Sequence, residues 1–367
     1  MKIGILTFHR SQNYGALLQA KGLQDYAREL GYNVSFVDYW PEYHEEMYKP
    51  FSWNKFRRYR WRGKLKYLTQ LLFTYSRLKK RRLKTKEYIK NFLTVSGEKS
   101  FDVVLYGSDQ IWRKQHQPTY DWFNPVYWGE GEVETENRIA YAASMGQIEI
   151  DTPADRQFVF DHLKLYKAIS IREKDLIERL EQDYGVRYKM VCDPVFLLTK
   201  EQWLRHVEKK YQPPYKYILY YRLQAIKETD RMVEELVKKT GLKVIEMRSY
   251  MPYFHYGSRY RLTADAQEFI SLIQGAEYVV TSAFHGIAMS IIFEKQFFFT
   301  SQRHQANRVE SLFTMLGLED RFADGYQNSI NLDNPIDYVS VKKRLEPFAD
   351  SSRQWLRKQL EDAESNH

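Results

Sequence analysis

Apolar and polar positions alternate along the first half of the chain in a pattern that predicts strands and helices in turn. Residues 15–30 carry apolar side chains at helical spacing, and Gly31 ends this predicted helix. Apolar runs predict strands at 3–8, 33–39, 101–106, 138–144, 168–171 and 188–192. Repeated β-α units favour a parallel sheet with right-handed crossovers. We therefore expect a Rossmann-like, doubly wound domain over residues 1–195.

The same alternation restarts after Pro213 and Pro214, where residues 196–214 are the expected linker. Four further strands are predicted at 215–222, 242–247, 278–282 and 296–300. The helices between and after them are predicted at 227–240, 265–274, 286–293 and 307–316. This indicates a second Rossmann-like domain over residues 215–335. The predicted fold class is thus α/β, with two doubly wound domains facing a cleft, and a helix within 336–367 that can return to the first domain.

Composition supports a folded protein of a reducing compartment. Hydrophobic residues are 43% and aromatic residues 16% of 367, which suits two packed cores and excludes wholesale disorder. The single cysteine, Cys192, cannot form an internal disulfide. Residues 1–8 are too short an apolar run for a signal peptide, and the longest apolar stretch, 279–293, is too short to span a bilayer. We expect a cytoplasmic protein that at most lies on the inner face of the membrane.

The positive charge is concentrated in one insertion, residues 54–90. This segment holds fifteen Lys or Arg and a single acid, Glu87, leaving 41 basic and 46 acidic residues in the rest of the chain. Aromatic and leucine side chains alternate with the cations. The pattern is typical of a segment that lies on an anionic membrane surface. A solvated helix with an ordinary amphipathic face is the second interpretation, and a nucleic-acid surface, which is disfavoured, is the third.

The most informative segment of the second domain is the turn that carries His285. It follows the strand predicted at 278–282 and precedes an apolar helix, and ligands of open α/β sheets bind at the carboxyl ends of strands. Ser282 adds a hydroxyl, and Gly286 allows the backbone to approach a ligand closely. The alternative is a half-buried histidine that only caps a loop.

Polar residues also follow two strands of the first domain. Asn13 and Gly15 begin the first helix, where backbone amides attract anions, although a plain helix cap is equally compatible. Ser108, Asp109 and Gln110 follow the strand at 101–106. The nearby Trp112 suits either sugar stacking or core packing.

Two charged residues lie near the ends of the last strands of this domain. Arg172 follows the strand at 168–171 and has a guanidinium suited to a carboxylate or phosphate, with a surface ion pair to Glu173 or Asp175 as the alternative. Asp193 precedes Pro194, which indicates a turn and a structural role.

Seven segments of the chain, in this order, resemble the polysaccharide pyruvyl transferase family. They cover about residues 1–320 without the basic insertion. The segments are KIGILTFHRSQNYGALLQAKGLQDYARELGYNVSFVDY, FDVVLYGSDQIW, RIAYAASMG, ISIREKD, VCDPVFLLTKEQW, YVVTSAFHGIAMSIIF and NRVESLFTMLGLEDR. The resemblance implies a fold of the GT-B type and a metal-independent enzyme without a cofactor. It also implies phosphoenolpyruvate as donor and, as product, a pyruvate ketal bridging two hydroxyls of a cell-surface or exopolysaccharide precursor.

The implied chemistry assigns expected roles to the polar residues. His285 is expected to act as the acid or to neutralise the departing phosphate, and Asp109 to act as base on the acceptor side. Arg172 is expected to bind the carboxylate or phosphate of the donor. Asn13 and Gln110 are expected to position the sugar. The substrate-binding set is completed by Gly15, Ser108, Ser282 and Gly286.

The chain departs from the family at one position. Some members with determined activity have an Arg-Leu-His triplet where this chain has Ala283, Phe284 and His285. The donor-binding arginine is therefore missing, and another cation is expected to replace it. The candidates are Arg303, His304 and Arg308 in the next strand-to-helix connection.

Two other functions fit the same pattern. One is a GT-B glycosyltransferase that uses a nucleotide-sugar, for which Glu246, Arg248 and the aromatic run 250–260 are candidates. The other is a non-catalytic, membrane-associated protein of glycan assembly. In the favoured interpretation the partners are phosphoenolpyruvate, a glycan acceptor that can be lipid-linked, and an anionic membrane surface met by residues 54–90.

Overall fold

Two parallel α/β units make up the chain, so the predicted fold class is confirmed. The computed structural model describes residues 1–207, 211–248, 257–300, 307–322 and 330–365, with only the backbone at positions 307 and 308. Within these ranges, one sheet has seven strands and the other has four. All of their strand pairs are parallel.

The first sheet belongs to the first domain. Its strands are β1 (Lys2–Leu6), β2 (Asn33–Val37), β3 (Val95–Ser96), β4 (Val103–Tyr106), β5 (Asn137–Ala143), β6 (Ala168–Ile171) and β7 (Lys189–Met190). They are ordered β3-β2-β1-β4-β5-β6-β7, so the direction of winding reverses between β1 and β4. A reversal of this kind opens a crevice at the carboxyl ends of the two strands, where ligands of such sheets bind.

The helices of the first domain include one of 32 residues, within the basic insertion and its continuation. They are α1 (Tyr14–Glu29), α2 (Glu42–Tyr48), α3 (Trp53–Arg58), α4 (Trp61–Phe92), α5 (Pro153–Leu163), α6 (Lys174–Tyr184) and α7 (Lys200–Leu204). The basic insertion forms α3 and α4. Helix α1 begins where the Asn13 side chain accepts a hydrogen bond from the backbone of Gly15, and most of its residues are buried because it lies between the two domains.

The second domain repeats this architecture on a smaller scale. Its strands are β8 (Tyr217–Arg222), β9 (Lys243–Arg248), β10 (Tyr278–Thr281) and β11 (Gln296–Phe299), ordered β11-β10-β8-β9. Its helices are α8 (Lys227–Thr240), α9 (Ala266–Gly275), α10 (Phe284–Ile292) and α11 (Asn307–Leu316). The winding reverses between β8 and β10, so the start of α10 lies at the ligand side of this sheet.

The described part of 196–214, the linker expected from sequence, packs against the domains. Phe196 and Trp203 are buried in the core shared with α1, and α7 lies within this stretch. The last helix, α12 (Tyr338–Ser365), runs back over the first domain. Its Ser352 hydroxyl accepts a hydrogen bond of 2.9 Å from the backbone of Cys192. Two facing domains with such a returning helix form a GT-B-like fold.

Candidate active site

The centre of the candidate site is a carboxylate that is shared between the domains. Asp193 lies just after β7, and its Oδ2 atom accepts a hydrogen bond from Nη1 of Arg172, the residue that follows β6. The same Oδ2 atom lies 3.5 Å from Nε2 of His285, in the first turn of α10. The first domain thus supplies Arg172 and Asp193, and the second supplies His285. All three residues come from the carboxyl ends of parallel strands.

Electrostatics keep this carboxylate ionised. Burial alone would raise the pKa of Asp193, but the nearby charges of His285 and Arg172 outweigh it and hold the pKa well below its usual range. Asp193 also caps the short turn that follows it, because its Oδ1 atom accepts a hydrogen bond of 3.1 Å from the backbone of Val195. A carboxylate fixed in this way can orient the His285 ring and accompany an imidazolium formed during proton transfer.

Gly15 allows the two domains to meet at His285. A Cβ built on Gly15 would overlap Nδ1 and Cγ of the imidazole and lie 2.9 Å from its Cε1 atom. No side chain larger than hydrogen fits there without moving the ring. The backbone amide of Gly15 is already bonded to Asn13, so the structural role of this glycine is the close contact with His285.

Arg172 is held in a buried polar cluster. Its Nη1 atom lies 3.4 Å from the hydroxyl of Ser108, and its Nη2 atom donates a hydrogen bond of 3.2 Å to the hydroxyl of Ser144. The guanidinium also lies 5.3 Å from the ring centroid of Phe284, next to His285. Its Nε atom is buried and has no hydrogen-bond partner within the described ranges. Arg172 therefore forms buried ion pairs with Asp193 and, at 3.5 Å from its Nη2 atom to Oε1, with Glu173. The sequence alternative named Glu173 correctly but placed the pair at the surface, where it does not lie.

A polar cleft of about 540 Å³ lies next to this cluster. Asn13, Asp109 and Gln110, three of the predicted substrate-binding or catalytic residues, line it. It contains both hydrogen-bond donors and acceptors, as a site for a sugar requires. The cleft and the cluster are joined through the adjacent residues Ser108 and Asp109, and through the contact of Asn13 with Gly15.

The backbone around Asp109 and Gln110 is shaped by close contacts. Asp109 has a positive φ of 61°, and its Oδ1 atom accepts a hydrogen bond of 2.8 Å from the backbone of Gln110. Gly146, with a φ of 73°, leaves room for the amide of Gln110, which a Cβ there would contact at 2.5 Å from Nε2. These two residues therefore face the cleft in a fixed arrangement.

Ser282 and Gly286, two predicted substrate-binding residues, lie at the start of α10. The hydroxyl of Ser282 is free to bind a ligand, whereas the amide of Gly286 is already hydrogen-bonded within the protein. The hydroxyl of Ser282 is buried and has no hydrogen-bond partner among the residues described. Gly286 donates its backbone amide to Ala283 at 3.0 Å, and a Cβ on it would lie 2.6 Å from the hydroxyl of Thr281. Its lack of a side chain thus serves packing on β10. The first turn of any α-helix leaves backbone amides without intrahelical partners, which favours an anion there.

Several sequence candidates fall outside what the structure describes. Arg303 and His304 lie in the range 301–306, and of Arg308 only the backbone position at the start of α11 is described. Much of the aromatic run 250–260 also lies outside the described residues. Glu246 and Arg248, which the nucleotide-sugar alternative requires, are both buried and pair with each other.

Some residues of the site could not be found from the sequence, and two residues that were singled out have roles that the structure now defines. Arg113, His116 and Glu149 line the cleft, but they lie in irregular segments without a motif. The turn role expected for Asp193 is confirmed by its hydrogen bond with the backbone of Val195, and the same carboxylate also pairs with Arg172 and lies 3.5 Å from His285. The strand prediction carries a signal for this second role, since the ends of neighbouring parallel strands meet at one edge of a sheet. Trp112 is fully buried and stacks on Trp128 at a centroid distance of 4.6 Å, so core packing, not sugar stacking, is its role.

A sequence profile described as Polysaccharide pyruvyl transferase matches residues 13–304. The chain belongs to the polysaccharide pyruvyl transferase family. The match spans the whole site described above, from Asn13 through Arg172 and Asp193 to His285. Membership in this family identifies a polysaccharide-modifying transferase that takes a donor and a glycan acceptor. No curated protein matches the sequence significantly.

Several solved structures resemble the chain over nearly its full length. The UDP-GlcNAc 2-epimerase from Rickettsia bellii is 11% identical, with a TM-score of 0.48 and coverage of 99% of this chain and 97% of that one. The Neisseria meningitidis UDP-GlcNAc 2-epimerase bound to UDP-GlcNAc is 9% identical, with a TM-score of 0.48 and coverage of 99% and 100%. The E. coli heptosyltransferase WaaC is 10% identical, with a TM-score of 0.37 and coverage of 95% and 99%.

Proposed function

We propose that this family member transfers a pyruvyl group from phosphoenolpyruvate to two hydroxyls of one sugar in a cell-surface polysaccharide precursor. One observation carries the proposal: His285 and Arg172, from different domains, both contact Oδ2 of Asp193 beside a polar cleft. A donor bound beside His285 and a glycan bound in the cleft would meet at this point. Pyruvyl transfer needs such a meeting of a small anionic donor with a glycan.

The donor site lies between the cluster and the start of α10. Phosphoenolpyruvate carries a carboxylate and a phosphate, so cations and oriented amides must hold it. The unpartnered hydroxyl of Ser282 and the amides of the first turn of α10 suit the phosphate. Arg172, with its free Nε atom, suits the carboxylate. The chain has Ala283 where relatives carry an arginine, so we assign the missing charge to Arg308 or Arg303.

The reaction balances in two additions. Protonation of the methylene carbon makes C2 of the donor electrophilic, and the first sugar hydroxyl forms a bond to C2 while losing its proton. The C2–O bond to phosphate then breaks, and the second hydroxyl of the same sugar attacks C2. Its proton leaves with the phosphate. His285 supplies the proton to the methylene carbon or neutralises the departing phosphate, and Asp193 keeps its ring in place.

The acceptor binds in the cleft of about 540 Å³. Asp109 is placed to accept a proton from a sugar hydroxyl, while Asn13 and Gln110 bind neighbouring hydroxyls. Arg113 lies close to Gln110, with its Nη1 atom 3.4 Å from Oε1 of that side chain, and adds a cation to the wall. Metal independence and the absence of a cofactor belong to this proposal.

Donor competition tests the proposal against a nucleotide-sugar transferase. The purified protein is incubated with a glycan-precursor extract and either phosphoenolpyruvate or a panel of nucleotide-sugars. Phosphate release that needs both phosphoenolpyruvate and the extract is expected, and a chelator should not reduce it. The His285→Asn variant should lose this activity. Nucleotide release without phosphate release would contradict the proposal and support the glycosyltransferase.

A further inference from the structure

Helix α4 carries an exposed apolar stripe that no other part of the described chain covers. At 3.6 residues per turn, six apolar side chains fall within about 80° of one another around the helix. They are Trp61, Leu65, Leu68, Leu72, Tyr75 and Leu83, and each is between 45% and 79% exposed. The stripe is about 33 Å long at 1.5 Å per residue. An exposed apolar surface of this length marks a contact site.

The opposite face of α4 is the one that packs on the protein. Its buried residues are Thr74, Arg81, Thr85 and Tyr88, which lie about 200° around the helix from the stripe. Arg81 binds both domains, since its Nη2 atom lies 3.2 Å from the hydroxyl of Tyr14 and donates to the backbone carbonyl of Arg248. The helix is therefore fixed by one face, and the stripe necessarily points away from the body.

Cations flank this stripe. Lys79 lies on the stripe itself, and Arg62, Lys64 and Lys80 lie beside it at helical spacing. Residues 54–90 as a whole contain fifteen Lys or Arg and one acid. Apolar side chains that enter the acyl boundary, with cations at the headgroups, match the interface of an anionic bilayer.

We propose that the α3–α4 insertion docks the protein on an anionic membrane surface through this stripe. Pairing with a second copy of the chain would bring two clusters of like charge together, which is unfavourable. A nucleic acid would use the cations but would leave the leucines in water. Of these three occupants, only a bilayer takes up both the apolar stripe and its charges. Among the described residues, no helix is both long and apolar enough to cross a membrane.

The docked helix lies next to the cleft. A second cavity, of about 690 Å³, is lined by Arg82, Lys86 and Lys90 of α4 and by Trp40 and Tyr48. Trp40 and Tyr48 also line the cleft that holds the proposed acceptor site. With the protein docked in this way, a lipid-linked acceptor can stay in the bilayer while its sugar reaches the cleft. This consequence rests on the proposed function; the docking surface does not.

Vesicle flotation of the full-length protein tests the docking surface. The wild type should float with vesicles containing phosphatidylglycerol and remain unbound with pure phosphatidylcholine. Leu68→Glu with Leu72→Glu should weaken binding at least about tenfold, because acids replace apolar side chains at the acyl boundary. Val339→Glu is the matched control, since Val339 is 80% exposed against 79% for Leu72 but lies on α12. Lys79→Ala and Lys80→Ala should each weaken binding roughly fivefold.

Three results would overturn the docking surface. The first is unchanged flotation of the double glutamate variant, whose thermal unfolding should match that of the wild type because both leucines are exposed. The second is a dimer, seen by light scattering without vesicles, that the double variant disperses. The third is binding of a single-stranded oligonucleotide that the glutamates leave intact, without any flotation. Phosphate release in vesicle-free solution is measured separately, so failure of the proposed function and failure of docking are distinguishable.

Discussion

Gly15 and His285 are in van der Waals contact across the two domains, with no space for a side chain between them. The contact joins the start of α1 to the start of α10, the ligand-side ends of the central strands of both sheets. A glycine is needed at this helix start because of the imidazole of the other domain. The contact between Gly15 and His285 marks the place where a bound substrate could touch both domains.

Substituting Gly15 tests this contact. Gly15→Ala should displace the His285 ring, costing about 1–3 kcal/mol in the free energy of unfolding and lowering kcat at least about tenfold if His285 acts in proton transfer. Gly97→Ala is the control, because a Cβ there meets nothing within 4 Å. Chemical unfolding and phosphate-release kinetics measure the two effects. Equal activity of both variants would contradict a close catalytic contact.

Asp193 should contribute stability that depends on pH. Asp193→Asn leaves the buried guanidinium of Arg172 without its main partner, so we expect a loss of about 3 kcal/mol at neutral pH. The folded-state pKa of Asp193 lies below that of an unfolded aspartate. The contribution is therefore complete above the ordinary pKa of about 4 and is lost as the pH falls below it.

Urea unfolding at several pH values measures this difference. The gap between wild type and Asp193→Asn should be largest at neutral pH and should narrow below about pH 4. Asp151→Asn, at an exposed carboxylate before α5, should show no such gap. A gap that stays constant down to pH 3 would mean that Asp193 is not the ionised partner of Arg172.

The sequence predicts the scaffold well because burial repeats with the period of each element. The helices at 227–240 and 307–316 have the predicted bounds, and β6 coincides with the predicted strand at 168–171. Prediction from the sequence fails for elements whose buried positions do not repeat in this way. β3 has only two residues and was missed, as was α5, whose buried residues include Asp155 and His162 beside only two apolar ones.

Part of the candidate site can be predicted from the sequence, because some of its residues follow strands that the apolar pattern reveals. Asp109 and His285 lie three and four residues after the buried apolar strands β4 and β10, and this position makes them candidates from the sequence alone. The partnership of Asp193 with His285 depends on how two domains face each other, which no local pattern encodes. Arg113, His116 and Glu149 reach the cleft from irregular segments, and only tertiary structure brings them there.

Asp109 should act on the acceptor side. Asp109→Asn keeps the size of the side chain but removes its charge, so kcat should fall about 100-fold or more if the carboxylate takes the hydroxyl proton. The KM for phosphoenolpyruvate should change little. Glu178→Gln, at an exposed ion pair on α6, is the control. A raised donor KM with unchanged kcat would move Asp109 to the donor site.

The cation that replaces the arginine missing at Ala283 should lie in the connection before α11. Arg308→Ala should raise the KM for phosphoenolpyruvate about 10- to 100-fold, the effect of losing a charge-assisted hydrogen bond. Arg303→Ala, measured in parallel, decides between the two candidates. Arg187→Ala, at an exposed arginine of the first domain, serves as control. Unchanged donor KM in both variants would remove this connection from the donor site.

We expect His285, held between the domains, to catalyse pyruvyl transfer to a glycan. This is tested by the mass spectrum of the cell-surface glycan from cells that lack the gene and are complemented with wild type or His285→Asn. We predict that the wild type restores one pyruvate ketal per modified sugar and that the variant, expressed and folded to the same extent, does not. A glycan without pyruvate in wild-type cells, or full pyruvylation by the variant, would contradict the account.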